Sequence, residues 1–164
     1  EFQSLLPAAQ KPEYTAGYEG FIHLTDMAGE VEKSTLRYII RDHDMAKFQE
    51  KKAVMQSAAD FINAKYGEGT CVLTVRDSYF NMKQHIEPVM YVVDRAKNAM
   101  RLSGMEPVEV PIRGGTDGAR LSYEGLPCPN LCTGGENYHG RFEYIPVEDM
   151  EKCAQMLVNI LTTL

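Results

Sequence analysis

Two glycine-rich segments near the end of the chain frame a single histidine. The segments are Arg113–Gly118 and Gly134–Gly140, and the short apolar run Gly125–Leu131 lies between them. Glycine has no Cβ, so a backbone rich in glycine can approach a ligand or a metal closely. Core histidines usually lie within periodic segments, whereas His139 lies on this loop. The pattern therefore predicts a functional loop with His139 as a site residue.

The amino-acid composition limits which kinds of partner this chain is expected to bind. The 164-residue chain carries a net charge of −6 and has a pI of about 5.2, which disfavours nucleic-acid binding. No apolar run approaches the ~18 residues that a membrane span needs, so no membrane partner and no signal peptide are expected. Four scattered cysteines indicate reduced thiols and a cytoplasmic protein. Because the first residue is Glu1 rather than Met, a processed chain or a fragment is expected.

The first half of the chain shows a β-β-α-β order. Alternation predicts strands over Phe21–Leu24, Thr35–Arg41 and Thr70–Asp77, with a hairpin turn at Ala28–Glu30 joining the first two. A helix capped by Asp42 or Asp44 and closed by Gly67 precedes the third strand. We expect Lys51 and Lys52 to lie on its solvated face.

The second half shows a different order, in which short apolar strands alternate with helices. A helix is predicted from Pro88 to Gly104, followed by short strands at Val108–Ile112 and Pro129–Thr133. A last helix from about Val147 should bury a stripe of apolar residues: Met150, Cys153, Leu157, Ile160 and Leu164. The change of pattern places a domain boundary at about residues 78–87.

Six segments, in order along nearly the whole chain, resemble the peptidase T family of two-zinc exopeptidases. The family's relatives include enzymes that cleave acylated or carbamoylated amino acids. The matching segments are Gly17–Leu24, Tyr38–Asp42, Asp77–Met82, Pro111–Ser122, Gly125–Asn130 and Thr133–Arg141.

The resemblance implies an architecture of mixed α+β and α/β class. Residues 1–82 would form an incomplete, ferredoxin-like antiparallel lid, or dimerisation, domain. Residues 83–164 would form the C-terminal segment of an α/β zinc-peptidase catalytic domain. The chain would then correspond to the last two fifths of the enzyme. The family's upstream zinc ligands, and its first lid strand, have no counterpart in this sequence.

The resemblance also implies roles for individual residues. His139 matches the family's last zinc ligand, and the alternative is a loop histidine bonded to backbone. Arg41 matches the lid arginine that holds the substrate's C-terminal carboxylate; the alternative is a surface arginine paired with Asp42 or Asp44. No catalytic acid or base is assigned within this chain.

Two further residues resemble substrate-binding positions. Arg113 matches a second binder of the substrate's anionic group, and the alternative is an ion pair with Asp117. Asn81 matches a lid residue that contacts substrate, and a turn-stabilising asparagine is the alternative.

These matches imply a part of a zinc-dependent aminotripeptidase that releases the N-terminal residue from tripeptides. The full enzyme would bind two zinc ions and form a homodimer through its lid, whereas this chain alone should bind no zinc tightly and be inactive. Two alternatives remain open. The chain could be a non-catalytic, truncated lid or dimerisation module, or a diverged metallo-amidohydrolase of the same family.

Overall fold

The computed structural model describes residues 1–163 and shows a mixed helix-and-strand protein, which confirms the predicted class. The chain divides into two compact units. The first unit contains Glu1–Asn81 and Pro111–Gly115, and the second contains Met82–Val110 and the chain from Thr116 onward. The short segment Pro111–Gly115 therefore packs with residues far before it in sequence.

An antiparallel hairpin forms the sheet of the first unit. Strand β1 (Phe21–Gly29) pairs with β2 (Ser34–Arg41), with Phe21 opposite Arg41 and an irregularity between Leu24 and Asp26. Both strands were predicted, although β1 continues to Gly29, five residues past its predicted end at Leu24. The turn lies later than predicted, since the Glu30 amide donates to the Lys33 carbonyl at 2.8 Å.

A long helix, α2 (Met45–Tyr66), follows β2 and packs beside it. The Asp44 side chain caps its start by accepting a hydrogen bond from the Lys47 amide at 3.0 Å. Gly67 ends it with a φ of 111°, a backbone conformation that glycine adopts without strain. The short helix α1 (Phe2–Leu5) lies beside α2. One cluster of buried apolar residues in this unit contains Leu6, Ile22, Met55 and Ala58.

Lys51 contradicts the expectation of a solvated helix face. Its ammonium lies 2.7 Å from Asp42 Oδ2, and the two side chains are only 9% and 2% exposed. Backbone crowds the carboxylate as well, because a Cβ on Gly20 would come within 2.1 Å of Asp42 Oδ2. A buried lysine needs a buried anion, and Asp42 supplies it.

The predicted third strand over Thr70–Asp77 is wrong, since this segment joins no sheet among the described residues. A cavity of about 320 Å³ is bounded by β2, by Val72–Asp77 and by the Phe48, Lys52 and Met55 side chains of α2. A strand needs a neighbour within about 5 Å to share backbone hydrogen bonds. The segment has the alternation of a strand but lacks a paired neighbour.

Helices make up most of the second unit. They are α3 (Lys83–Ile86), α4 (Tyr91–Leu102), α5 (Asp117–Tyr123) and α6 (Val147–Thr162), with a 3-10 turn at Glu87–Val89. The strands predicted at Val108–Ile112 and Pro129–Thr133 are absent from the described chain, and α5 was not predicted. Glycine favours a loop in sequence, but Gly118 lies inside α5. Position 118 needs glycine because a Cβ there would clash with the Cys128 carbonyl oxygen.

Helix α6 packs against α4 and buries Met156. The predicted buried stripe is therefore partly wrong, because Met150 and Leu157 are 49% and 50% exposed. Leu164, which was assigned to that stripe, lies outside the described residues. Within residues 1–163, no helix is long and apolar enough to cross a membrane.

Candidate functional site

Arg41 is the last residue of β2, and it has no carboxylate partner within the first unit, all of whose residues are described. Asp42 is paired with Lys51, and Asp44 caps α2, so neither fills the role proposed in the alternative interpretation. The Arg41 guanidinium lies over the Tyr79 ring, 5.4 Å from its centroid. Burial lowers the pKa of Arg41 from its ordinary value. The first unit thus holds this cation without supplying a counter-ion for it.

Arg113 belongs to the same unit, in the segment that returns to it. Its Nη1 donates to the Thr15 carbonyl at 2.8 Å, and Nη2 donates to the Thr15 hydroxyl. The guanidinium carbon lies 4.8 Å from the Phe21 ring centroid. The Arg113 Nε is buried without an acceptor, and no carboxylate of the first unit pairs with this side chain.

Tyr79 is a residue that the sequence analysis missed. Its ring supports Arg41, and its buried hydroxyl has no hydrogen-bond partner in the described structure. Gly115 makes room for it, since a Cβ there would lie 2.2 Å from that hydroxyl. The glycine pair after Arg113 was therefore a usable signal, because it marks a close approach by another residue.

Asn81 forms a hydrogen bond with a residue far from it in sequence. Its side-chain amide donates to the His43 carbonyl at 3.0 Å, which is not the local turn considered as its alternative. The His43 ring nitrogens in turn lie 3.2 Å from the carbonyl oxygens of Tyr18 and Ile112. His43 thus joins three segments of the first unit. These ties hold the end of β2 in place beside Pro111–Gly115.

His139 lies in the second unit, on a closed loop. Glu136 and Tyr144 form an antiparallel bridge at its base, and the His139 amide donates to Glu143 Oε2 at 3.0 Å. The side chain is exposed, and the backbone φ of 62° is unusual for a residue with a Cβ. Asn137 also has a positive φ, of 55°. Strained backbone of this kind concentrates at functional sites.

A zinc ion needs three or four protein ligands. Among residues 1–163, no group of three or more His, Cys, Asp or Glu side chains is placed to hold a metal. The described donors around His139 therefore supply at most part of a zinc site.

The fold has a counterpart among solved structures. The chain superposes on the crystal structure of a tripeptidase from Staphylococcus aureus with a TM-score of 0.71. The match covers 96% of this chain and 43% of that chain, and the sequences are 19% identical, so it speaks to the fold alone.

Similarity of sequence defines the resemblance more narrowly. Over 161 residues, the chain is 56% identical to the peptidase T of Alkaliphilus oremlandii and 54% identical to that of Clostridium perfringens. These matches cover 98% of the chain, so the predicted resemblance to peptidase T is confirmed. No protein-family profile matches the sequence. The chain spans about two fifths of the length of these relatives.

Proposed function

We propose that this chain is part of a zinc-dependent aminotripeptidase, which removes the N-terminal residue from tripeptides. In this proposal Arg41 and Arg113 bind the substrate's C-terminal carboxylate, Asn81 contacts the substrate, and His139 supplies one zinc ligand. The observation that carries the proposal is the pair of arginines in one unit, each held on an aromatic ring without a carboxylate partner there.

The physical argument concerns charge. Partial burial of a guanidinium without a counter-ion is unfavourable. The ring contacts, and for Arg113 the hydrogen bonds to Thr15, offset part of that cost. A carboxylate accepts two parallel hydrogen bonds from such a group, so a substrate anion would repay the desolvation. The partnerless Arg113 Nε and Tyr79 hydroxyl are further donors within the same unit.

Binding at both ends would give selectivity for length. The free amine of a peptide would be recognised by groups near the metals, and the free carboxylate by the arginines. A fixed separation between those two places admits a tripeptide and excludes longer chains. The zinc ions, when bound, would activate the attacking water; the remaining ligands would come from polypeptide that this chain does not include.

The first unit would form the greater part of the lid domain, residues 1–82. Residues 83–164 would form the C-terminal segment of the catalytic domain. The cavity beside β2 supports the first assignment, because it lies where another strand would complete a sheet. The whole enzyme would act in the cytoplasm as a homodimer. The free outer edge of β1, which pairs only with β2 in the described structure, is a suitable surface for that contact.

The role of Arg41 can be tested in the intact enzyme with Arg41→Met. We expect kcat/KM for a free tripeptide to fall about 30- to 1,000-fold, or about 2–4 kcal/mol, since one charge would lose its partner. The same tripeptide with an amidated C-terminus should be hydrolysed slowly by both proteins and show little difference between them.

Arg37→Met is the matched control, because Arg37 lies on the same strand but is 74% exposed and only loosely paired with Asp26, at 3.7 Å. It should leave kcat/KM within about twofold, as expected for an exposed ion pair. An equal loss on the free and the amidated tripeptide in Arg41→Met would remove the carboxylate role.

A further inference from the structure

Two thiols in the second unit have no part in the proposed peptidase chemistry. The Sγ atoms of Cys132 and Cys153 lie 4.0 Å apart, although the residues are 21 positions apart in sequence. Cys132 lies on the loop that leads to His139, and Cys153 lies on α6. Both are free, as are Cys71 and Cys128.

A second contact shows that this approach is built into the packing. A Cβ on Gly134 would lie 2.8 Å from Asp149 Cβ, so the loop backbone lies directly on α6 there. Gly134 is two residues after Cys132, and Asp149 is one helical turn before Cys153. Two extended residues span about 6.6 Å and one helical turn about 5.4 Å. The spacing from Cys132 to Gly134 along the loop therefore matches the spacing from Cys153 to Asp149 along the helix. The loop and the helix therefore run side by side in opposite directions.

The two thiols differ in accessibility. Cys132 is exposed, whereas Cys153 is partly buried. Burial raises the pKa of the Cys153 thiol, and the neighbouring Cys132 raises it further. Thiol–disulfide exchange begins at the thiol that the small-molecule disulfide can reach. Cys132 is therefore the point of first attack, and Cys153 is placed to react second.

We propose that Cys132 and Cys153 form an oxidisable dithiol that closes to an intramolecular disulfide by exchange with a small-molecule disulfide such as oxidised glutathione. The Cys132 thiolate attacks one glutathione sulfur and expels the other as a thiolate. Cys153, after losing its proton, attacks the Cys132 sulfur and expels the second glutathione thiolate. The two protein S–H groups are oxidised to one S–S bond, and one glutathione disulfide is reduced to two thiols.

The required movement is small. A disulfide bond is about 2.05 Å long, so the sulfurs must approach by about 2 Å, which is within the range of side-chain rotation on the loop. Closure would fasten the loop before His139 to α6. The site is thus a candidate redox-sensitive attachment on the loop that leads to the predicted zinc ligand.

The test uses the reduced 164-residue chain, incubated with oxidised glutathione, quenched with acid and alkylated. We expect the number of alkylated thiols to fall from four to two and the protein to become lighter by two hydrogen atoms. Peptide mapping without reductant should recover Cys132 linked to Cys153. In urea this selective pairing should disappear, because the fold sets it.

Variants separate the pair from the other thiols. Cys71→Ser/Cys128→Ser should form the bridge as the parent does, whereas Cys132→Ser and Cys153→Ser should each stop at a glutathione adduct or not react. The proposal is overturned if the parent accumulates a stable adduct on Cys132, if the mapped bridge joins other cysteines, or if no thiols are lost. Because the parent protein alone decides these outcomes, a variant that fails to fold leaves the test intact.

Discussion

The buried ion pair between Lys51 and Asp42 should be the most sensitive single electrostatic contact of the first unit. At 2.7 Å, two unit charges attract by about 6 kcal/mol at an effective dielectric constant of ~20. Desolvation of both groups cancels most of this gain. Removing one partner is different, since the other charge stays buried without compensation, at a cost of about 3–5 kcal/mol.

Lys51→Met tests this reasoning, because methionine keeps the length of the side chain and removes the charge. We expect the free energy of unfolding to fall by about 3–5 kcal/mol, measured by urea titration with circular dichroism at 222 nm. With a slope of about 1–3 kcal/mol/M, the midpoint should move by at least about 1 M. This is a large share of the 5–15 kcal/mol that stabilises a typical domain.

The neighbouring residue supplies the control. Lys52 contacts Asp77 at 3.0 Å, but those side chains are 21% and 38% exposed, so Lys52→Met should cost less than about 1 kcal/mol. Lys51→Met/Asp42→Asn removes both charges and keeps an acceptor for the Asp44 amide, which bonds to Asp42 Oδ1. This double variant should recover part of the free energy of unfolding that Lys51→Met loses. Equal, small effects of Lys51→Met and Lys52→Met would refute the argument.

Three further predictions concern the caps, the loop and the metal. Asp44→Ala should lower the thermal midpoint of unfolding at pH 7. Because the Lys47 amide lowers the pKa of Asp44, the difference in midpoint between variant and parent should persist above pH ~4 and vanish as the pH falls through that lowered pKa. A difference in midpoint that is unchanged at pH 2 would contradict this prediction. In urea titration, Gly134→Ala should lower the free energy of unfolding by about 1–3 kcal/mol more than Gly125→Ala, since both glycines have positive φ but only Gly134 faces Asp149. Equal losses of stability in the two variants would count against the contact between Gly134 and Asp149. Calorimetric titration of the chain with zinc should show no tight stoichiometric site, and one that disappears in His139→Ala would overturn the proposal that the other ligands lie elsewhere.

Local signals in the sequence predicted local structure well. The strands β1 and β2, the Asp44 cap and the Gly67 stop depend on neighbouring residues, and the structure contains them all. The segment Thr70–Asp77 fails for the opposite reason. Its alternation describes which side chains share a face, but a strand also needs a partner, and no local pattern reveals whether one is present.

The candidate site divides in the same way. The arginines came from a family resemblance, and His139 came from the glycine pattern together with that resemblance. The surroundings of all three depend on long-range contacts that no spacing encodes. Lys51 was assigned to solvent because charged helix residues usually are exposed, and only the fold shows that Asp42 lies beside it. Tyr79 was missed because nothing near it in sequence indicates that its ring supports Arg41.

The cavity between β2 and Val72–Asp77 has a consequence for anyone who handles this protein in solution. The backbone edges of β2 and Val72–Asp77 face this cavity. They should form hydrogen bonds with an extended polypeptide whose apolar and polar residues alternate in the same way, including another molecule of the same chain. Stability measured on the isolated chain should then rise with protein concentration. A synthetic peptide that fills the cavity should raise the melting temperature and reduce self-association.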